Sequence, residues 1–202
     1  MLILTAALSA VAVTVLGLAV PVTASFIIAW VVIGPALIDV GVERPGAAMF
    51  IFYYAVLSEV SPPTALAAVA ASAITGGDVI KSMWQTCKYA LPAFLVPMAF
   101  VLTSNGSGLI AQGPLSRTLW TTLVAALAVC ALAVVTGGWM LHRAGWLERL
   151  LCVPAALLLL YLEPLSMALG VAFFAVAIGT HIFRRDNQMG PPAEPAAVRA
   201  AT

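Results

Sequence analysis

The strongest constraint on this chain is how far apart its charges lie. Met1–Ile38 carries no charged side chain. Pro45–Ser58 and Val60–Gly77 are interrupted only by Glu59. Tyr89–Ser116, Thr118–His142, Leu150–Leu162 and Pro164–Phe183 are also free of Asp, Glu, Lys and Arg. A hydrocarbon core about 30 Å thick takes roughly 20 apolar residues to cross as a helix. Backbone N–H and C=O groups must find internal partners there, so segments of this length are expected to be helical. Period-2 alternation is absent. The predicted fold class is all-α, a polytopic integral membrane protein.

Composition agrees with this reading. Of 202 residues, 63% are hydrophobic and 8% are charged, against about 25% charged in an ordinary soluble domain. So few charges leave too little polar surface for a soluble globule of this size. A net charge of +1 gives no basic footprint for nucleic acid. An enzyme is not expected either: there is no His-Glu-x-x-His, no paired catalytic aspartates, and no serine near a histidine. The three cysteines, Cys87, Cys130 and Cys152, lack metal-ligand or redox spacing and read as small apolar residues. His142 and His181 read as interfacial. No cofactor is expected. Met1-Leu2-Ile3-Leu4 lacks the basic lead of a signal peptide, and a start inside an apolar run predicts a truncated chain.

Two segments are broken by their own residues. As one helix, Met1–Ile38 would run about 57 Å, nearly twice a span. Pro21 lacks an N–H and clashes with the preceding turn, and Gly17 tolerates a left-handed cap. Two limbs follow, about Leu2–Leu16 and Thr23–Val40, with Thr23 or Ser25 as the cap of the second. A re-entrant hairpin fits them as well as two crossings do. The second break is Leu57-Ser58-Glu59-Val60-Ser61-Pro62-Pro63-Thr64, within Ala47–Thr75. Consecutive prolines remove two donors, and Ser61 is pushed out of the α region. Unwound backbone at membrane depth is tolerated only inside protein or along an aqueous cavity. There, unwound carbonyls suit cations, and half-helix N-termini suit anionic groups. Glu59 is expected to be protonated, paired or facing water, since a charge at mid-bilayer costs about 2.5–3.5 kcal/mol. It is a candidate proton or cation site. Glu163-Pro164 reads as a turn.

The remaining chain reads as an interfacial helix at 78–89 with Trp84 and Tyr89 as anchors, then a helix at 90–103. A C-terminal transmembrane extension at 104–185 and a disordered tail at 186–202 complete it. Alternating the spans puts Lys81, Lys88, Arg143, Arg149, Arg184, Arg185 and Arg199 on one side, and Arg44 and Arg117 on the other. The side richer in Lys and Arg is cytoplasmic, and the C-terminus lies there.

The pairing of LGLAVPVTASFIIAWVVIGPALIDVGV with FYYAVLSEVSPPTALAAVAASAITGGDVIKSMWQTCKYALPAFLVPMAFV resembles one family. It is similar to the C-terminal part, the second inverted repeat, of the large permease subunit of TRAP (tripartite ATP-independent periplasmic) transporters, in the fused form that serves TAXI-type binding proteins. The likeness is strong over residues 10–103 and weaker over 104–185. It implies an elevator-type carrier in which 1–103 is one repeat, with its hairpin at 2–40 and its broken helix at 47–75. It implies uptake of carboxylates on a sodium gradient across the bacterial inner membrane. The implied partners are a TAXI-type periplasmic binding protein, a small membrane subunit and a polypeptide carrying the first repeat, in a lipid bilayer. Carried over by position, the substrate and ion site is Gly17, Pro21, Thr23, Ser25, Glu59, Ser61, Pro62, Pro63 and Thr64, with Thr23 and Ser61 as sodium ligands. The family pattern at the tip resembles Gly-Met-Gly-Leu-Pro-Thr-Thr; here Ala19 replaces the second Gly and Val22 the first Thr. The alternative expectation is a non-transporting fragment or scaffold subunit, a gene remnant.

Overall fold

The computed structural model describes residues 1–140 and 142–188, with side chains through Phe183. Among them the chain is nearly all helix, without strands. Nine α-helices follow one another among the described residues: α1 Leu2–Gly17, α2 Val22–Val32, α3 Gly34–Asp39, α4 Arg44–Leu57, α5 Leu66–Thr75, α6 Val79–Leu102, α7 Leu115–Gly137, α8 Trp146–Leu160 and α9 Pro164–Gln188. Short 3-10 turns occupy Ser58–Val60 and Ser104–Ile110. Among the described residues, three helices are long and apolar enough to cross a membrane: Val79–Leu102, Leu115–Gly137 and Pro164–Phe183.

Several boundaries differ from those expected. The limb predicted at Thr23–Val40 is split at Ile33 into α2 and α3. Pro35 follows Gly34 and has no N–H for the carbonyl of Val31, so the helix restarts there. The helices predicted separately at 78–89 and 90–103 form one continuous helix, α6. The charges thin out near Tyr89, but no residue there ends a helix, and Pro92 and Pro97 are absorbed inside α6. Its start is set by Gly76, at φ +69°, and by the Asp78 carboxylate, which accepts the Lys81 amide at 2.8 Å. The Glu163-Pro164 turn lies between α8 and α9. Helix α9 runs to Gln188, past the expected start of the tail, and 189–202 lie outside the described residues.

Two cores form on either side of α6. The first gathers Ala6, Ala10 and Val13 of α1, Ala29 of α2, Leu37 of α3 and Phe50, Ile51 and Tyr54 of α4, closed by Phe100 and Val101. Tyr54 donates to the Phe94 carbonyl at 2.6 Å, pinning α4 to the stretch between the α6 prolines. The second core joins Ala99 to Val124, Ala128, Ala131 and Leu132 of α7, Cys152, Ala156 and Leu159 of α8 and Ala177 of α9. These interiors are rich in alanine, which lets helix backbones approach closely, as membrane bundles require. The outward faces carry Ile3, Leu8 and Val15 of α1, Ile27 and Val31 of α2, and Leu119 and Leu123 of α7. An exposed surface this apolar suits a hydrocarbon solvent, in which apolar side chains are not driven inward.

The α8–α9 contact predicts a contrast between two glycines of one helix. A Cβ on Gly170 would lie 2.7 Å from Leu159 Cγ and 3.1 Å from the Ala155 carbonyl, whereas one on Gly179 meets open space. Gly170→Ala should cost about 1–3 kcal/mol by overpacking. Gly179→Ala should be neutral or stabilising by up to about 1 kcal/mol through helix propensity. Thermal unfolding of the two variants in detergent measures the difference.

Candidate functional site

The two proline-broken segments meet. Helix α1 ends at Gly17, the chain turns through Leu18–Pro21, and α2 begins at Val22. Opposite, α4 passes through the Ser58–Val60 turn, the chain is unwound from Ser61, and α5 resumes at Leu66. Between them lies a cavity of about 270 Å³ lined by Gly17, Leu18, Ala19, Val20, Pro21, Glu59, Thr64 and Leu66.

Hydroxyl groups donate to carbonyls around both breaks, and the Thr64 hydroxyl reaches the Ser58 carbonyl, which Pro62 leaves without its helical donor. The Ser25 hydroxyl donates to the Val20 carbonyl at 2.9 Å and fixes the tip. The Ser61 hydroxyl donates to the Leu57 carbonyl at 2.9 Å, and the Ser61 amide to Ser58 at 3.2 Å. The Thr64 hydroxyl lies 3.4 Å from the carbonyls of Ser58 and Ser61. The Pro62–Pro63 peptide is cis, and Ala65 takes a left-handed conformation at φ +32° before α5 starts.

Of the residues named from sequence, Gly17, Pro21, Glu59 and Thr64 line the cavity. Ser25 and Ser61 are buried braces behind it. Pro62 and Pro63 shape the unwound turn without lining the cavity, and Thr23 is exposed on the first turn of α2. The cap of α2 is Pro21, not Thr23 or Ser25; Ser25 falls one turn inside the helix, too late to reach the first amides. Gly17 does not adopt a left-handed cap: it is the last residue of α1, and Leu18 caps the helix at φ −69°. Its role is close approach: a Cβ there would overlap the hydroxyl and Cβ of Ser58. Ser58, fully buried with its hydroxyl donating to the Ala55 carbonyl at 2.6 Å, was missed by the sequence reading. Glu59 faces the cavity with its side chain exposed and no ion pair among the described residues.

The electrostatics follow from the helix ends. The starts of α2 and α5 present unpaired amides, which favour an anion. The end of α1 and the Ser58–Val60 turn present carbonyls, and with Glu59 these favour a cation. Both polarities therefore converge on one cavity.

A second group of polar residues was also missed. His181 is fully buried on α9, 2.9 Å from the Glu148 carboxylate of α8. The 33 residues between them hide the pair in sequence. The available signal was a glutamate in the first turn of one helix and a histidine in the last turns of its antiparallel neighbour. Cys152 is buried, Cys87 half-buried and Cys130 exposed.

With this geometry in view, the family comparison is decisive. The profile of the family described as Tripartite ATP-independent periplasmic transporter, DctM component, matches residues 1–106. The chain belongs to this family. The matched region holds the whole of the tip cavity and ends just after α6. A DctM component is the permease part of a transporter that also has a periplasmic binding protein and membrane subunits, and the family is one of transporters rather than enzymes. No curated protein and no solved structure matches the chain.

The contact between Gly17 and Ser58 supplies a direct test. Gly17→Ala should destabilise the fold by about 1–3 kcal/mol, because two buried groups then compete for one space. Adding Ser58→Gly should recover part of that loss, a non-additivity that a double-mutant cycle in detergent unfolding measures.

Proposed function

We propose that this DctM-family chain is the second inverted repeat of a TRAP permease that imports carboxylates on a sodium gradient. The observation that supports this most is the meeting of a helical hairpin tip with an unwound helix around one cavity. Transporter sites of this kind use half-helix N-termini for the substrate anion and unwound carbonyls for the coupling cation. In this reading the substrate carboxylate approaches the starts of α2 and α5. Sodium is held by Glu59, Thr64 and the tip carbonyls, with Ser25 and Ser61 holding those groups in place. Thr23 takes part when the tip closes on the ion. Binding of sodium orders the tip first, and the carboxylate then meets a formed site.

The hairpin is re-entrant and the motion is elevator-like in the same reading. The protein works in the inner membrane with its C-terminus in the cytoplasm. It acts with a first repeat from outside these residues, a small membrane subunit and a TAXI-type periplasmic binding protein.

Uptake measured in proteoliposomes, with those partners co-reconstituted, tests the assignment. Glu59→Gln removes an interaction of a charged group worth about 1.5–3 kcal/mol, and Ser61→Ala leaves the buried Leu57 carbonyl without its donor at a cost of about 1–3 kcal/mol. They should therefore weaken the apparent sodium affinity about tenfold or more. Uptake that keeps its sodium dependence in both variants would sink the site assignment.

A further inference from the structure

The three C-terminal helices, which lie beyond the family match, leave a groove on their outer face. Helices α7 and α9 both pack on α8. Because α8 runs antiparallel to each, α7 and α9 run parallel, and their first turns come to the same end of the bundle. Between those turns lies an apolar groove of about 410 Å³. Trp120, Leu123 and Leu127 of α7 form one wall, and Pro164, Met167 and Val171 of α9 the other. Trp120, Leu123 and Val171 are exposed, so the groove opens at the surface and not into the core.

The length of the groove limits what fits it. Residues 120–127 and 164–171 each rise about 10 Å along a helix axis. That is about two thirds of one leaflet of a hydrocarbon core roughly 30 Å thick. A crossing helix from another chain needs a matching face over the whole thickness. A single acyl chain entering from one leaflet needs only this much. Trp120 stands at the end of the groove nearest the start of the span, where tryptophan favours the membrane–water interface.

Two opposite charges stand at that end. Arg117 lies one turn before Trp120 on α7, and Glu163 immediately precedes Pro164. A chain of hydrogen bonds holds them beside each other. Arg117 Nη2 donates to Asn105 Oδ1 at 2.8 Å, and Asn105 Nδ2 donates to the Leu162 carbonyl at 2.8 Å. The Ser166 hydroxyl accepts the Glu163 amide at 3.2 Å and donates to the Glu163 carbonyl at 2.9 Å, which fixes the corner. The guanidinium contacts, to Asn105 and to the Ser104 carbonyl at 3.5 Å, both use Nη2 and leave Nη1 and Nε for a further acceptor. Glu163 is exposed, and among the described residues neither it nor Arg117 has an ion-pair partner.

A purely anionic headgroup would meet Arg117 but be repelled by Glu163. A headgroup with both a phosphate and an ammonium suits both. The phosphate matches the guanidinium fork. A primary ammonium brings N–H donors to the carboxylate, which a fully methylated one lacks. We propose that the α7–α9 groove binds phosphatidylethanolamine, with one acyl chain in the groove, the phosphate on Arg117 and the ammonium on Glu163. The lipid fills the gap that α8 leaves between its two parallel neighbours.

Fluorescence quenching in lipid nanodiscs tests this. A full-length variant with Trp30, Trp84, Trp139 and Trp146 changed to Phe keeps Trp120 as its reporter. A minority lipid brominated in its acyl chains is offered in a phosphatidylcholine matrix, on an ethanolamine, glycerol or choline headgroup. The ethanolamine lipid should quench Trp120 at about three- to tenfold lower mole fraction than the other two, as two partly screened charge contacts allow. Glu163→Gln, at an exposed side chain, should remove that preference. Ala168 also lines the groove and is exposed, so Ala168→Phe should fill the groove and reduce quenching by the ethanolamine lipid to the choline level. Native mass spectrometry of the unsubstituted chain should likewise retain phosphatidylethanolamine over the other two, independently of the Trp changes. Equal quenching by all three headgroups would overturn the proposal, as would a preference that survives Glu163→Gln. So would a Trp120 shielded from all three lipids, which would mean that a second copy of the chain or a partner helix covers the groove.

Discussion

Everything in the N-terminal half depends on one constraint: a backbone carbonyl in lipid must have a partner. Proline removes that partner at Pro21, Pro35, Pro62 and Pro63. Where the break is a kink, neighbouring amides suffice: Ile33 donates to Ala29 at 2.7 Å and Leu37 to Ile33 at 3.2 Å across the α2–α3 joint. Where the chain unwinds, the Ser58 carbonyl that Pro62 leaves without its helical donor takes the Ser61 amide at 3.2 Å and the Thr64 hydroxyl at 3.4 Å. The hydroxyls of Ser25, Ser58 and Ser61 each reach a backbone carbonyl at 2.6–2.9 Å. A neutral hydrogen bond is worth only about 1 kcal/mol net, but an unsatisfied buried carbonyl costs about 1–3 kcal/mol. Such hydroxyls add partners for the carbonyls around the breaks, and the broken segments make the cavity.

Helix α6 gives the molecule its plan. One stretch of it, Ala99–Val101, closes the first core with Phe100 and Val101 and opens the second with Ala99. Gly106 follows in the next turn, and a Cβ on it would overlap the Ala99 carbonyl. The family match stops at residue 106. The boundary between the DctM region and the three C-terminal helices thus falls at the point where the chain folds back on α6. Asn105, at the same turn, donates to the Leu162 carbonyl at 2.8 Å and ties the α8–α9 corner to it.

The sequence made the helical class and the two breaks legible because proline and glycine act locally. Pro21 and Pro62-Pro63 stop a helix whatever surrounds them. The continuity of α6 was not legible, because a change from mixed to apolar composition alters the solvent of a helix and not its hydrogen bonds. The split at Gly34-Pro35 was readable by the same rule as Pro21, but it was overlooked inside an apolar run. The partner of Gly17 could not be read at all: Ser58 meets it only once α1 and α4 are packed. The Glu148–His181 pair is hidden for the same reason, since antiparallel packing of α8 on α9 is what closes the 33-residue gap.

The two glutamates that matter illustrate opposite answers to one cost. A charge inside a bilayer is expensive, so an acidic side chain must either reach water or be neutralised in place. Glu59 takes the first course: it opens onto a cavity whose size, about 270 Å³, admits several waters or a ligand. Glu148 takes the second: it is enclosed, with an imidazole and a backbone amide as donors. The first arrangement leaves the carboxylate free to exchange partners with whatever enters the cavity. The second holds it in place between fixed donors. A carboxylate that opens onto a cavity can meet what enters it, and an enclosed one holds its neighbours together. Glu59 lies among Ser58, Ser61 and Thr64 and Glu148 beside Arg149, and the fold, through the unwound Ser61–Ala65 in one case and the packing of α8 on α9 in the other, gives each glutamate its surroundings.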